Sequence, residues 1–330
     1  MKILVTGGFG FIGTNLIKRL NQMGFSDITC IDSLNNSLKL SNASQIKISN
    51  FIDKKEFFSI LKNTNSSTFD FNYIFHQGAC SDTTCEDGNY IMQNNFTFSK
   101  LLADFCLKNS IPMVYASSAS VYGDAQNFVE SKNEKALNYY AYSKLLFDEY
   151  IRNKNINSFK SQIVGLRYFN VYGPYEEHKS RMASVIFHFY NQLKKNKRIS
   201  IFEGSHGLKN GEHKRDFIHV DNVVDMNLWF FKNSQLSGIF NCGTSEANSY
   251  NKIADTIIDY FKKNKNDFNL KYDDYISYIK FPEDLKNRYQ PFTKSSNESI
   301  KSKSYDNKFY SIEQGVNKYL KYLDEKISQI

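Results

Sequence analysis

The sequence lacks any apolar run long enough to cross a membrane as a helix, which takes about 18 to 20 uncharged residues. It has four prolines, no internal repeat and no stretch rich in proline, glycine or serine that would mark a linker. The N-terminal residues MKILVTGGFGFIG resemble a secretory signal only briefly, because glycines break the apolar run and no small-residue cleavage site follows. We therefore expect a cytoplasmic protein that binds no membrane.

Patterns typical of disulfides and metal sites are also missing. The five cysteines are scattered, odd in number and without a C-x-x-C pair, which is typical of reduced core thiols. The six histidines lack the spacing of metal ligands, since His178, His188 and His219 are too far apart to form a helix-borne pair. We expect no metal.

The charge of the chain is positive without being concentrated. The formal net charge is +8, but lysines and arginines alternate with acids along the whole sequence. This dispersion argues against nucleic acid as a partner. Hydrophobic residues make up 41% and aromatic residues 15% of the chain, enough for a sizeable core. Part of the positive charge can face an anionic ligand such as a diphosphate.

Short apolar runs alternate with helical patterns in the first half of the chain. Strand–helix alternation with fully apolar strands predicts an α/β fold, a doubly wound parallel sheet of the Rossmann type. The predicted strands are Ile3–Thr6, Ile28–Asp32, Tyr73–His76, Met113–Ser117, Ile163–Tyr168 and Gly238–Gly243. The predicted helices in this part are Ile12–Met23 and Asn94–Lys108.

The remaining segments predict a smaller α/β lobe that binds substrate. Residues 174–216 are loop-rich with one helical pattern over Met182–Leu193, and residues 264–308 are polar and irregular. A last amphipathic helix, Ser311–Lys326, packs back on a lobe. We assign 1–170 plus about 217–263 to an NAD(P)-binding domain. The substrate lobe takes about 171–216 plus 264–330.

Gly7, Gly10 and Gly13 lie between a four-residue apolar strand and an amphipathic helix. Glycines at this position permit a tight turn and the approach of a pyrophosphate to the helix N-terminus. Asp32 ends the second strand, where a ribose-binding acid belongs, and its charge favours NAD. Ser33 and Lys39 follow closely and can accommodate the 2′-phosphate of NADP. These residues do not decide between NAD and NADP. The glycine spacing resembles that of extended short-chain dehydrogenases.

A Y-x-x-x-K motif begins at Tyr140. It occurs five times in the chain, starting at Tyr140, Tyr150, Tyr175, Tyr190 and Tyr322. Only Tyr140 follows a strand that ends in serines, of which Ser118 can hydrogen-bond a reacting sugar oxygen. Positions i and i+4 of a helix share a face, so Lys144 and the oxidised nicotinamide would lower the pKa of Tyr140 and make it a base. Asn94 can order a helix or a water near Lys144.

Several longer segments resemble one family, the ADP-L-glycero-D-manno-heptose 6-epimerases, over almost the entire chain. The segments are His76–Thr84, Tyr115–Asp124, Tyr142–Tyr150, Arg167–Pro174, His178–Val185, Phe202–Ser205, Lys214–Val223 and Arg288–Thr293. The block at His178 and the RYQPFT motif are the most specific.

This resemblance implies inversion of C6 of the heptose in ADP-D-glycero-D-manno-heptose, a step toward the lipopolysaccharide inner core. Bound NADP (NAD is possible) oxidises the C6 alcohol to a ketone and returns the hydride to the other face. Inversion requires an acid–base group on each face, and the resemblance assigns these roles to Tyr140 and Lys179. It also suggests a homo-oligomer, a pentamer.

Carried over position by position, the resemblance implies two sets of contacts. The cofactor would be bound, beside the glycines Gly7, Gly10 and Gly13, by Phe11, Ile12, Asp32, Ser33, Lys39, Lys54, Gln77, Gly78, Ala79, Cys80, Ser81, Asn94, Lys144, Val171 and Lys179. The substrate would be bound by Ser118, Asn170, Arg181, His188, Phe202, Glu203, Gly204, Ser205, Arg215 and Tyr289. Arg215 offers paired donors to phosphate oxygens, and its alternative is an ordinary ion pair with Asp216.

Three departures from the family pattern stand out. Gln77 occupies a position where the family often has Glu. Arg181 replaces a small residue that contacts substrate, so the guanidinium can either clash with the sugar or grip a phosphate. The loop from Ser205 to Arg215 has a length that varies in the family.

Other functions remain open on the sequence. A UDP- or dTDP-hexose 4-epimerase shares this fold and cofactor but needs no Lys179. A 4,6-dehydratase needs an Asp–Glu pair, which Ser118 and Ala119 do not provide. A non-catalytic dinucleotide sensor or scaffold typically loses the Tyr–Lys pair, which this chain keeps.

Overall fold

The structure is a computed structural model of the chain. It describes residues 1–34, 36–63, 69–130, 134–154, 161–265, 268–269, 271–283, 286 and 289–327. Arg288, the first residue of the RYQPFT motif, lies outside these residues. In the described part of the chain, no helix combines the length and apolarity needed to cross a membrane.

Seven parallel strands form the central sheet, in the order β10-β6-β5-β4-β1-β2-β3. The twelve strands in chain order are β1 (Ile3–Thr6), β2 (Ile28–Asp32), β3 (Asn50–Asp53), β4 (Tyr73–His76), β5 (Met113–Ser118), β6 (Ile163–Tyr168), β7 (Asn170–Tyr172), β8 (Ile199–Phe202), β9 (Lys214–His219), β10 (Gly238–Cys242), β11 (Ala247–Ser249) and β12 (Ile276–Ile279). The strand order reverses between β1 and β4, where doubly wound sheets bind their ligands.

Helices cover both faces of this sheet. In the described residues, the α-helices of the protein in chain order are α1 (Phe11–Gln22), α2 (Leu38–Ala43), α3 (Lys54–Lys62), α4 (Gly88–Ile91), α5 (Phe98–Asn109), α6 (Tyr139–Asn153), α7 (Val185–Asn196), α8 (Val220–Lys232), α9 (Tyr250–Asn264), α10 (Glu298–Lys301) and α11 (Ile312–Ile327). α1 and α8 bury apolar residues on one face, and α3, α5 and α6 do so on the other. The predicted Rossmann-type fold is confirmed.

Caps and one irregular turn explain where the helices differ from the predicted bounds. The predicted helix Met182–Leu193 starts later, at Val185, because the Ser184 side chain accepts a hydrogen bond from Phe187 N. The predicted helix Asn94–Lys108 is longer, since α4 continues through a π-helical turn over Met92–Thr97 into α5.

A second core lies beside the sheet, where α7, α9 and α11 pack together with β8. A three-stranded sheet, β11-β9-β7, and the pair β12-β8 complete this part. The stretch 174–216, predicted to be loop-rich, contains β8 and the first three residues of β9, and neither strand was predicted from the sequence. α9 packs with the second core, although it lies within the range 217–263. The division into domains stays a prediction.

Candidate functional site

A cavity of about 1320 Å³ opens at the carboxyl ends of the parallel strands. Its sheet side is formed by the turn between β1 and α1, the ends of β2, β4 and β5, and α6. Its other side is formed by β7, the segment before α7, β8 and residues from the second core. Nearly all the residues predicted to bind cofactor or substrate line it. Four do not, and these are Glu203, Gly204, Ser205 and Arg215.

The glycine turn can hold a dinucleotide. Gly7 has a φ of +68°, and a Cβ on Gly13 would lie 2.1 Å from the carbonyl oxygen of Gly7. A Cβ on Gly7 would lie 2.7 Å from Cα of Gly78. α1 follows directly, and Gly10 offers its first turn no side-chain cap. Positions 7 and 13 therefore admit only glycine, and the turn leaves the positive end of a helix at the cavity, a good fit for a pyrophosphate.

Asp32 is buried at the end of β2 and is engaged from three directions. Its carboxylate accepts hydrogen bonds from Phe9 N at 2.9 Å and Ser33 N at 2.7 Å. The ammonium of Lys39 lies 2.6 Å from Oδ1. The charge of Asp32 is therefore largely compensated, which weakens the repulsion that an acid at this position would exert on a 2′-phosphate.

A second ammonium lies near this acid. Burial lowers the pKa of Lys54, and the charge of Lys39 lowers it further. Lys54 Nζ donates to Oδ1 of Asn94 at 2.8 Å. Asn94 thus orients Lys54. The helix that carries Lys144, α6, is contacted instead by the neighbouring Asn95, which donates to Ser143 Oγ at 3.0 Å. Asn95 also bonds the backbone of Cys80 and was not identified from the sequence.

Ser118, Tyr140 and Lys144 come together at the end of β5. α6 begins at Tyr139, because Asn138 accepts a hydrogen bond from Ala141 N. Burial raises the pKa of Tyr140, and its hydrogen bond with Ser118 opposes that rise. Lys144 Nζ donates to the carbonyl of Ala116 at 2.7 Å, and burial lowers its pKa to about 8. Burial thus outweighs the other effects on Tyr140 in the chain alone, and the expected lowering of its pKa by Lys144 together with the oxidised nicotinamide stays a prediction.

A buried charge network lies beneath these residues. Arg167 is fully buried, with Nε 2.9 Å from Asp148 Oδ2 and Nη1 2.6 Å from Glu134 Oε1. Asp148 also accepts from Tyr115 Oη and Ser117 Oγ, each at 2.9 Å. The network ties β5, β6 and α6 together and so fixes the backbone that carries the Ser118–Tyr140–Lys144 group. The sequence held one signal for this network, the arginine within the apolar strand β6, because a buried charge needs a partner of opposite charge.

Lys179 approaches the cavity from the opposite side, on a short 3-10 segment over Glu177–Met182. Its ammonium lies 5.2 Å from the ring centroid of Phe11, at the start of α1. Burial lowers the pKa of Lys179, and the carboxylate of Glu176 opposes that effect. Tyr140 and Lys179 thus reach one cavity from different elements.

Arg181 reaches away from the cavity centre. One guanidinium nitrogen lies 3.1 Å from Asp82 Oδ2 and 2.7 Å from Thr84 Oγ1, in the loop after β4. The Arg181 side chain is 72% exposed, so this contact between the segment of Lys179 and the loop after β4 is open to solvent.

Arg215 is buried behind the cavity wall. Its guanidinium carbon lies 4.6 Å from the ring centroid of Tyr289. The carboxylate of Asp216 accepts hydrogen bonds from Thr244, Ser245 and Ser295 instead. The alternative prediction, an ordinary ion pair between Arg215 and Asp216, is therefore wrong.

His213 packs its edge on Tyr289 at 5.2 Å and bonds Ser205 Oγ at 2.7 Å. Sequence reasoning missed it because it lies in the loop of variable length. Within the described ranges, no three His, Cys, Asp or Glu residues are grouped as metal ligands.

Comparison with known proteins first gives the class. The model of the NAD dependent epimerase/dehydratase family matches residues 3–243, so the chain belongs to this family.

The resemblance to one group within it is confirmed. An ADP-L-glycero-D-manno-heptose-6-epimerase of Brachyspira hyodysenteriae is 45% identical over 327 residues, 98% of each chain. The crystal structure of the enzyme of that name from Helicobacter pylori has 31% identity and a TM-score of 0.81, over 98% of this chain and 96% of that one. A UDP-N-acetylglucosamine 4-epimerase from Methanobrevibacter ruminantium, at 24% identity, has a TM-score of 0.80 over 100% and 99% of the chains and shares the fold.

Proposed function

We propose that this protein interconverts the C6 epimers ADP-D-glycero-D-manno-heptose and ADP-L-glycero-D-manno-heptose. The observation that carries the proposal is that Tyr140 and Lys179 line one cavity from two elements, α6 and the segment before α7. Two acid–base groups on different sides of the reacting centre can hold the proton of the C6 oxygen before and after the ketone presents its other face. The two named relatives support the choice of sugar nucleotide.

Each proton in this reaction has a residue to hold it. When bound, the nicotinamide cofactor accepts the hydride of C6 and later returns it. As the C6 alcohol becomes a ketone, Tyr140 or Lys179 takes the hydroxyl proton. After the ketone has presented its other face, the remaining group of the two gives a proton to the oxygen. Ser118, which bonds Tyr140, orients that oxygen, and Lys144 lies one helical turn from Tyr140 on α6 and lines the same cavity.

The nucleotide part of the substrate would lie toward the second core. Arg215 carries a guanidinium suited to a diphosphate, but it lies behind Tyr289, so its contact with the nucleotide requires the Tyr289 ring to move aside. Asn170, Arg181, His188 and Phe202 line the same side of the cavity. Glu203, Gly204 and Ser205 lie behind this lining, so we assign them a supporting role, as Ser205 does through His213.

The cofactor is NADP in this proposal, with NAD as the alternative. Lys39 neutralises Asp32 at 2.6 Å, and Lys54 adds a second ammonium close by. A 2′-phosphate would find two cations beside one compensated acid. A homo-oligomer, suggested as a pentamer, stays a prediction that light scattering can test.

The function is tested by incubating the purified protein with ADP-D-glycero-D-manno-heptose and following the configuration at C6 by NMR. Conversion to the L-glycero epimer supports the proposal. Conversion of UDP-hexoses, with none of the heptose nucleotide, would contradict it and favour a 4-epimerase.

A further inference from the structure

Glu176 is a buried acid that no motif of the sequence singles out. It has no exposed surface and lies at the entry to the segment that carries Lys179. Its carboxylate accepts hydrogen bonds from Ser184 N and Ser184 Oγ, each at 2.6 Å, and from Gly173 N at 3.4 Å. Three donors at one carboxylate favour its ionised form, because an ionised carboxylate only accepts. Burial raises the pKa of Glu176, while the charge of Lys179 and the hydrogen bonds from Ser184 and Gly173 oppose that rise and stabilise the carboxylate.

These hydrogen bonds close a loop. Gly173 precedes the segment and Ser184 follows it, so one side chain fastens both ends of the loop around Lys179. The carbonyl of Glu176 also accepts from Lys179 N at 3.0 Å. Ser180, the next residue, has a φ of +49°, a conformation that a non-glycine residue adopts only when its surroundings hold it.

Other charged and titratable groups surround the pair. Tyr319 of α11 faces Glu176, and His178 lies beside Lys179, with its pKa lowered first by burial and then by Lys39 and Lys179. Glu177, the adjacent acid, is bonded instead to Lys326 of α11 at 2.8 Å. The Glu176 carboxylate is therefore the charge of this neighbourhood that acts most strongly on Lys179.

We propose that Glu176 is a positioning residue for Lys179: its carboxylate fastens the loop and supplies the counter-charge for the Lys179 ammonium. This inference rests on the proposed role of Lys179 as the second acid–base group. Lys179 must hold a proton in one direction of the reaction and release it in the other. The counter-charge keeps both states accessible in a half-buried position.

The proposal fixes the sign of a pH effect. Removing the negative charge lowers the pKa of Lys179. A base must be neutral and an acid must be protonated, so the limb of the pH–rate profile due to Lys179 moves to lower pH in both directions of the reaction. We expect a shift of roughly one pH unit.

The test compares Glu176→Gln with Glu177→Gln, its matched neighbour, by kcat against pH in both directions. The pH dependence of Lys179 acetylation by acetic anhydride, followed by mass spectrometry, reports the same pKa even in an inactive variant. Far-UV circular dichroism verifies folding. We expect both readouts to move to lower pH in Glu176→Gln and to stay in place in Glu177→Gln.

Two other outcomes are distinct. If Lys179→Met is inactive but Glu176→Gln lowers kcat without moving either profile, Glu176 is merely structural and the inference is overturned, while the proposed function stands. If Lys179→Met retains the wild-type rate, the assignment of Lys179 falls, and the inference falls with it.

Discussion

The two sides of the cavity are built in different ways. On the sheet side, defined by the glycine turn, Ser118, Tyr140 and Lys144, every group is set by a strand end or a long helix. On the loop side, defined by Lys179 and Arg181, a short segment is held by individual side chains such as Glu176. Regular backbone makes the sheet side readable from sequence spacing, whereas the loop side depends on contacts between distant residues.

We expect the largest loss of stability from a variant in the buried charge network of Arg167 and Asp148, which lies beneath the sheet side. Asp148→Asn removes a fully buried charge that is bonded to Arg167. Breaking a buried pair leaves the partner charge uncompensated, so we expect the free energy of unfolding to fall by about 3 kcal/mol. Urea denaturation measures it.

The control for Asp148→Asn is Glu313→Gln, which breaks the surface pair with Lys252, where both side chains are about half exposed. It should cost less than about 1 kcal/mol. Equal losses in the two variants would show that the network does not anchor the sheet side.

Gly13→Ala tests the glycine turn. The added Cβ would meet the Gly7 carbonyl oxygen at 2.1 Å, so the turn must open. We expect nicotinamide-cofactor affinity, measured by fluorescence titration, to fall at least about tenfold. Gly24→Ala is the matched control, because its Cβ meets nothing within 4 Å, although its φ is +91°. It should lower stability slightly and leave affinity unchanged. Unchanged affinity in Gly13→Ala would refute the assignment of the turn.

Lys39→Ala tests the choice of cofactor. Without the ammonium, the charge of Asp32 is no longer compensated and repels a 2′-phosphate. We expect the affinity for NADP to fall roughly tenfold more than that for NAD. Isothermal titration with each cofactor measures the ratio. An equal loss of affinity for both cofactors would show that Lys39 does not select between them, and NAD would then be the better candidate.

The smallest effect is expected on the loop side, at the cavity mouth. Arg181→Ser removes an exposed contact with Asp82 and Thr84. Such contacts are worth less than about 1 kcal/mol, so thermal unfolding should hardly change. A large loss of stability would mean that this bridge, rather than Glu176, holds the segment around Lys179.

The sequence was sufficient to predict the parts of this protein that consist of regular strands and long helices. Six of the seven strands of the main sheet match the predicted bounds to within one residue of an end, because each is a largely apolar run. β3 was missed, since Asn50–Asp53 has only two apolar residues and is partly exposed, as an edge strand can be.

The candidate site divides in the same way. The glycine turn and the Tyr140–Lys144 pair follow from spacing plus context. Lys179 came only from family resemblance, because a lysine in a loop carries no signal of its own. Asn95 and the Arg167–Asp148 pair were not identified, since their partners lie far apart in sequence and meet only in the folded chain. Glu176 was not identified because it stands in a loop, where no pattern shows that its carboxylate is buried.

The central claim is that Tyr140 and Lys179 act as two acid–base groups on one substrate. The most direct test is NMR measurement of C6 interconversion by the wild type, Tyr140→Phe, Lys179→Met and the double variant. The account predicts that each single variant loses at least about a hundredfold in rate, and that the double variant loses little more. Full activity in either single variant, with the fold intact, would contradict it.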